Sequence, residues 1–221
     1  MKIDILTLFP EMFSCLNESI IGRAIKENKV QINIIDIRTF SKNKHKKCDD
    51  YPFGGGAGMV LMVEPVFDAI MSVKQKNSLV VLTSPRGETL NQKMVKSLAK
   101  IEHIIIVCGH YEGIDERIID LCIDKQISLG DFVLTGGEIP ALAIVDSVCR
   151  YIPEVLNGQS LEEESFSNEL LEYPQYTRPQ EFKGLTVPEV LMSGHHENIE
   201  KWRHEQALEI TEKIRPDLLK K

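Results

Sequence analysis

Three short segments combine glycine with polar residues, and each closes an apolar run rich in Ile, Val and Leu. Leu82-Thr83-Ser84-Pro85-Arg86-Gly87 follows Leu79–Leu82, and Gly109-His110-Tyr111-Glu112-Gly113 follows His103–Val107. The third, Ser128-Leu129-Gly130-Asp131-Phe132-Val133-Leu134-Thr135-Gly136-Gly137-Glu138, ends the run Gln126–Leu129. Open α/β sheets bind ligands at the carboxyl ends of their strands. One such turn is ordinary turn chemistry, with glycine supplying positive φ. Three in successive units favour a shared ligand pocket. A fourth cluster, Phe53-Gly-Gly-Gly-Ala-Gly-Met59, would let backbone approach a ligand closely, and reads equally well as a flexible surface loop. It lacks the Gly-Lys-Ser/Thr of a phosphate loop, and no G-x-G-x-x-G follows a strand.

Charged residues supply the other candidates. Arg38, Lys42, Lys44, Lys46 and Lys47, with His45 among them, precede Tyr51 and Phe53. Positive charge beside aromatic rings suits a nucleic-acid backbone with nearby bases, although a solvated loop is the commoner meaning of such a run. A second, weaker set is Arg178, Lys183, His195, His196, Lys201, Trp202, Arg203 and His204. Adjacent His195 and His196 cannot easily face one ion, so no metal site is read. Trp202 stands at core spacing. Arg150 ends an apolar helical run and opens a stretch without bases; it reads as a partner for Glu162, Glu163 or Glu164, or simply as a cation complementing a helix C-terminus.

Elements that would position these residues follow from periodicity. Strands are expected at Ile3–Leu8, Val30–Ile37, Leu79–Leu82, His103–Val107 and Gln126–Leu129, rich in Ile, Val and Leu, several of them near-continuous apolar runs of the kind buried on both faces. Helices are expected at Glu11–Glu27, Val66–Val73, Gln92–Ala99, Ile114–Cys122 and Glu138–Arg150. Such alternation implies crossover connections and a parallel sheet. Gly158–Glu169 lacks an apolar period and reads as a mobile acidic connector. Beyond it, Tyr173–Pro179 is extended, and Ile199–Ile214 has helical spacing in a small helical domain. The domains are therefore 1–155 (α/β), 156–173 (acidic linker or lid) and 174–221 (C-terminal, helical).

At 221 residues, the chain suits one large domain with an appendage. Its formal charge of −7 argues against coating nucleic acid by bulk positive charge. The acidity is local, however: residues 151–177 hold six acids and no base. Five scattered cysteines form no C-x-x-C pair and point to a reducing compartment. The start has no signal-peptide h-region, and no run reaches the ~20 apolar residues of a membrane span. A cytoplasmic protein without a membrane partner is expected.

Gly109–Arg117, Ser128–Glu138, Tyr176-Thr-Arg-Pro179 and Gly194-His-His196 together resemble the bacterial tRNA (guanine-N1)-methyltransferases, the TrmD family of the SPOUT class. The similarity runs from Leu8-Phe-Pro-Glu-Met-Phe13 through Lys201-Trp-Arg203. It implies an α/β methyltransferase domain with a deep trefoil knot, acting as a homodimer whose sites the partner subunit completes. It implies S-adenosylmethionine as cofactor and the tRNA anticodon arm as partner; an assisting Mg2+ stays open. By position, the cofactor would be held by Leu82, Thr83, Ser84 and Pro85, by Gly109, Tyr111, Glu112 and Gly113, and by Ser128, Leu129, Gly130, Asp131, Phe132, Val133, Leu134, Gly136 and Gly137. The tRNA would meet Lys44, Lys46, Gly55, Gly56, Met59, Arg178, His195 and Lys201.

The implied reaction methylates N1 of the guanine 3′ to the anticodon. A carboxylate would take the N1 proton and an Arg would stabilise charge developing on O6. Arg150 matches the family's arginine. The family's carboxylate is an Asp before Ser-Phe; here Glu164-Ser165-Phe166 stands instead, in a connector about one residue shorter, so the extra methylene would restore reach. Glu163 and Glu169 are rival bases. Phe132 stands where a Tyr is usual, a change of little weight if only backbone there meets the cofactor. The connector is expected to order when the anticodon arm docks. Alternative readings are another SPOUT enzyme, such as a ribose 2′-O-methyltransferase, or a non-catalytic RNA-binding module.

Overall fold

A computed structural model describes residues 1–156, 164–166 and 169–219. Two compact units divide the chain, Met1–Leu156 and Asn157–Lys221.

The first unit is built on a five-stranded parallel sheet. Its strands are β1 (Lys2–Thr7), β2 (Gln31–Asp36), β5 (Ser78–Thr89), β6 (His103–Cys108) and β7 (Lys125–Ser128), in the order β2-β1-β6-β5-β7. Every residue of β6 is buried, as expected of a β-branched run at the centre of a sheet covered on both faces. One face packs on a 3₁₀ segment (Pro10–Asn17), α1 (Ser19–Lys26), α3 (Gln92–Leu98) and α5 (Glu138–Cys149). The other packs on α2 (Val63–Val73) and α4 (Glu116–Cys122). Between β2 and α2, the two-residue strands β3 (Asp49–Asp50) and β4 (Val60–Leu61) pair antiparallel and carry the glycine-rich loop at their tip.

All five expected strands are present, but three details differ from the sequence reading. Glu11–Glu27 is two helices, not one: Ser19 adopts φ +56°, and a Cβ on Gly22 would collide with the Asn17 carbonyl. α2 starts at Val63 rather than after Pro65, because a proline inside the first turn has no amide that the helix would use. β5 does not stop at Leu82. It bulges out over Ser84–Gly87 and returns, so that Thr83 and Glu88 both face Ile127.

Helix starts follow side-chain chemistry. Asn91 Oδ1 accepts the Met94 N–H at 2.9 Å to open α3. Asp115 Oδ1 accepts the Arg117 N–H at 3.0 Å to open α4.

The second unit contains the helices Glu189–Met192 and His196–Ile214. It also holds an antiparallel hairpin, Glu181–Phe182 with Leu185–Thr186, which periodicity missed because two-residue strands show no period. Ala207 and Thr211 are its buried helix positions, and Thr211 Oγ1 accepts the Leu171 N–H at 2.8 Å. Much of the stretch 158–169 read as a mobile connector, including Glu162 and Glu163, lies outside the described residues. Among the described residues, no helix is long and apolar enough to cross a membrane.

Candidate active site

At the carboxyl ends of β5, β6 and β7, three turns surround a cavity of about 270 Å³. Leu82, Thr83, Ser84 and Pro85 line it from β5; Gly109, Tyr111, Glu112 and Gly113 from β6; Ser128, Leu129, Phe132, Val133, Leu134, Gly136 and Gly137 from beyond β7. Of the residues expected around a cofactor, Gly130 and Asp131 stand apart from this lining. Ser128 Oγ bonds to both the Gly130 carbonyl and its N–H, at 3.0 and 3.2 Å, and this tight turn leaves Asp131 exposed. Arg86, His110, Thr135 and Pro140 also line the cavity and were not read from sequence. All four lie inside the quoted turns or just beyond them, so contiguity with the motif was the available signal.

The third turn is pinned to the second. Gly137 donates its N–H to the Gly109 carbonyl at 2.7 Å, and Gly136 bridges His110. A Cβ on Gly137 would collide with Thr83 Oγ1 and lie 2.6 Å from Gly109 N. This approach of three turns therefore requires glycine at that point. Glu138, 2% exposed, opens α5; its Oε1 accepts from Thr7 Oγ1 at 2.8 Å and ties the helix start to the end of β1.

On its other side, the β6 turn is bolted to the β3–β4 hairpin. Glu112 N–H reaches the Met59 carbonyl at 3.0 Å, and Leu61 N–H reaches the Gly113 carbonyl at 2.9 Å. Tyr111 stands at φ +58°, and burial, then the negative charge of the Asp49 carboxylate, pushes its phenol up. His110 lies between the rings of Phe9 and Tyr111 at 4.9 and 4.7 Å, and the Arg38 guanidinium covers Phe9 at 5.2 Å.

The basic segment is partly neutralised. Lys42 meets Asp68 at 3.4 Å and Lys47 meets Asp50 at 3.1 Å, while Lys46 Nζ donates to the Ser41 carbonyl at 3.2 Å. Lys44, Gly55 and Gly56 are exposed, and Met59 is half-buried. Arg150 caps the C-terminus of α5 in the first unit. Glu164 and Glu169 belong to the second unit. There, Arg178 and Lys201 are exposed, and His195 is the N-cap of the long helix. Among the described residues, no three His, Cys, Asp or Glu side chains are grouped to hold a metal ion.

The cavity is lined by backbone turns and glycine cradles, which suits an organic ligand held through main-chain groups. A family model described as tRNA (guanine-1)-methyltransferase TrmD matches residues 1–221. A tRNA (guanine-N(1)-)-methyltransferase of Clostridium botulinum is 59% identical over 223 residues, covering 100% of this chain and 92% of that protein. Its namesake in Clostridium tetani is 57% identical, with coverage of 100% and 92%. That of Ruminiclostridium cellulolyticum is 57% identical, with coverage of 100% and 97%. The match spans every turn around the cavity, and the chain belongs to the TrmD family of tRNA (guanine-1)-methyltransferases.

Proposed function

We propose that the protein transfers a methyl group from S-adenosylmethionine to N1 of the guanine 3′ to the anticodon in tRNA. Convergence of the three strand-end turns on one cavity carries this reading. The Gly109, Gly136 and Gly137 cradles would hold the adenosine and methionine parts through backbone groups. S-Adenosylmethionine, when bound, supplies an electrophilic methyl carbon on a sulfonium that leaves as a neutral thioether. The chain must then orient guanine and adjust its charge. Glu164 would take the proton from guanine N1 as that nitrogen is methylated. Arg150 donates to O6 and stabilises the negative charge that develops there.

The remaining assignments belong to the same proposal. Residues 1–155 form the cofactor domain, 156–173 the acidic lid and 174–221 the tRNA-binding domain. The path from the edge strand β7 back to the sheet centre, between the β5 and β6 turns, supports a trefoil knot. Exposed Phe132, Val133 and Ile139 near the cavity support cover by a second subunit. Action as a homodimer in the cytoplasm is part of the same proposal.

Incubation with labelled S-adenosylmethionine and tRNA transcripts carrying G or A beside the anticodon tests the reading. Label only with G is expected. Label on both would favour ribose methylation, and label on neither a binding module. Single-turnover rates for Glu164→Gln and Glu163→Gln assign the base: the first should fall about 10²-fold or more, and a near wild-type rate would overturn the role of Glu164.

A further inference from the structure

Tyr111 is held in a backbone conformation that an L-residue avoids. His110 and Gly113 close a four-residue turn through the Gly113 N–H and the His110 carbonyl, at 3.2 Å. Tyr111 occupies the first central position at φ +58°, where such turns ordinarily use glycine. A bulky residue persists there only when its surroundings fix it. From the side chains, the contact that does so is the Tyr111 N–H donated to His110 Nδ1 at 2.9 Å. His110 is itself fixed, wedged between Phe9 and Tyr111, with Gly136 leaving room beside its Cδ2 and Nε2. An acceptor at Nδ1 places the proton of the neutral ring on Nε2.

We infer that His110 is a positioning residue: its Nδ1 holds Tyr111 in the left-handed conformation and so keeps the second cofactor turn formed before S-adenosylmethionine arrives. The inference rests on the proposed cofactor. It touches cofactor affinity rather than the methyl-transfer step, because His110 acts through the shape of the turn.

Three variants test it. His110→Asn places an amide oxygen where Nδ1 stood, able to accept the next residue's N–H as Asp50 Oδ1 already does for Tyr51 at 2.9 Å. His110→Gln carries its oxygen too far out, and His110→Phe keeps the ring without the acceptor. Calorimetric titration with S-adenosylmethionine should show about tenfold weaker binding for Phe and Gln, a loss of about 1.4 kcal/mol. Asn should stay within about threefold of wild type. At saturating cofactor, kcat should be unchanged in all three while KM for the cofactor follows the affinity. Equal weakening of Asn and Gln, wild-type affinity in Gln and Phe, or a fall in kcat at constant KM would overturn the inference. If Phe fails to fold, the Asn–Gln contrast decides. A wild-type protein that binds no S-adenosylmethionine would instead refute the proposed function.

Discussion

The two ends of the five-stranded sheet both bury polar groups, with opposite results. At the amino end, Asp4 is fully buried and bonds to Lys2 at 2.7 Å, to Asn33 at 2.5 Å and to His103 Nε2 at 2.8 Å. His103 Nδ1 meets Ser78 Oγ at 2.7 Å, and that oxygen also accepts the Gln75 N–H at 2.7 Å. The network links four neighbouring strands, β1, β2, β6 and β5. At the carboxyl end, glycine turns, a left-handed tyrosine and exposed Phe132 and Val133 surround open space. One end uses polarity to hold strands in register; the other leaves backbone available to a ligand. A strained tyrosine and exposed apolar side chains lie together where binding is proposed.

Asp4→Ala gives the largest expected effect. Removing the carboxylate leaves Lys2 and His103 without their shared partner, at a cost of about 3–5 kcal/mol. Denaturant unfolding should show that loss while the folded fraction keeps its rate of methyl transfer. A stable but inactive variant would break the division between the two ends. Gly137→Ala acts in the opposite sense: its Cβ separates the β5, β6 and third turns, and cofactor affinity should fall about 10–100-fold, consistent with an overpacking cost of about 1–3 kcal/mol. Unchanged affinity in calorimetry would detach the cavity from the proposed role.

Acid unfolding sharpens the contrast further. Burial acts to raise the Asp4 carboxyl, but the bonds from Lys2, Asn33 and His103 prevail and hold it below its usual range. The folded value then lies under the unfolded one of about 3.9. Its contribution is complete above that pH and is lost as pH falls through the folded value. Asp4→Asn should therefore flatten the acid limb of stability below about pH 4. An acid limb as steep as that of wild type would exclude Asp4 as its source.

The smallest effect is chemical. Burial pushes the Cys149 thiol up to about 12 and also raises Cys48, Cys108 and Cys122, whereas Cys15 is exposed. Thiolate, not thiol, reacts. Iodoacetamide at pH 8 should label Cys15 in the native protein and the other four only after unfolding. Rapid native labelling of Cys108 would show that the carboxyl end opens.

Hydrophobic period was enough to read the sheet: His103–Val107 could only be a strand buried on both faces, and the alternating helices required parallel crossovers. The three glycine turns were legible for the same reason, since each punctuates such a strand. Their place in one cavity was an extrapolation from strand ends, and the tertiary structure placed most of the expected lining there while leaving out Gly130 and Asp131. His110 lies inside a turn legible as a candidate, but nothing in the sequence singles it out from its neighbours there. Its significance depends on Phe9, about a hundred residues earlier, and on a positive φ at its neighbour. The break at Ser19, the return of β5 after its bulge and the Phe182–Leu185 hairpin likewise depend on contacts or torsions without a period. Local pattern determined which segments bury and which turn. Only the packing of distant segments decided which turns meet, because that depends on close approaches, such as Gly137 against Gly109, that no single stretch of chain encodes.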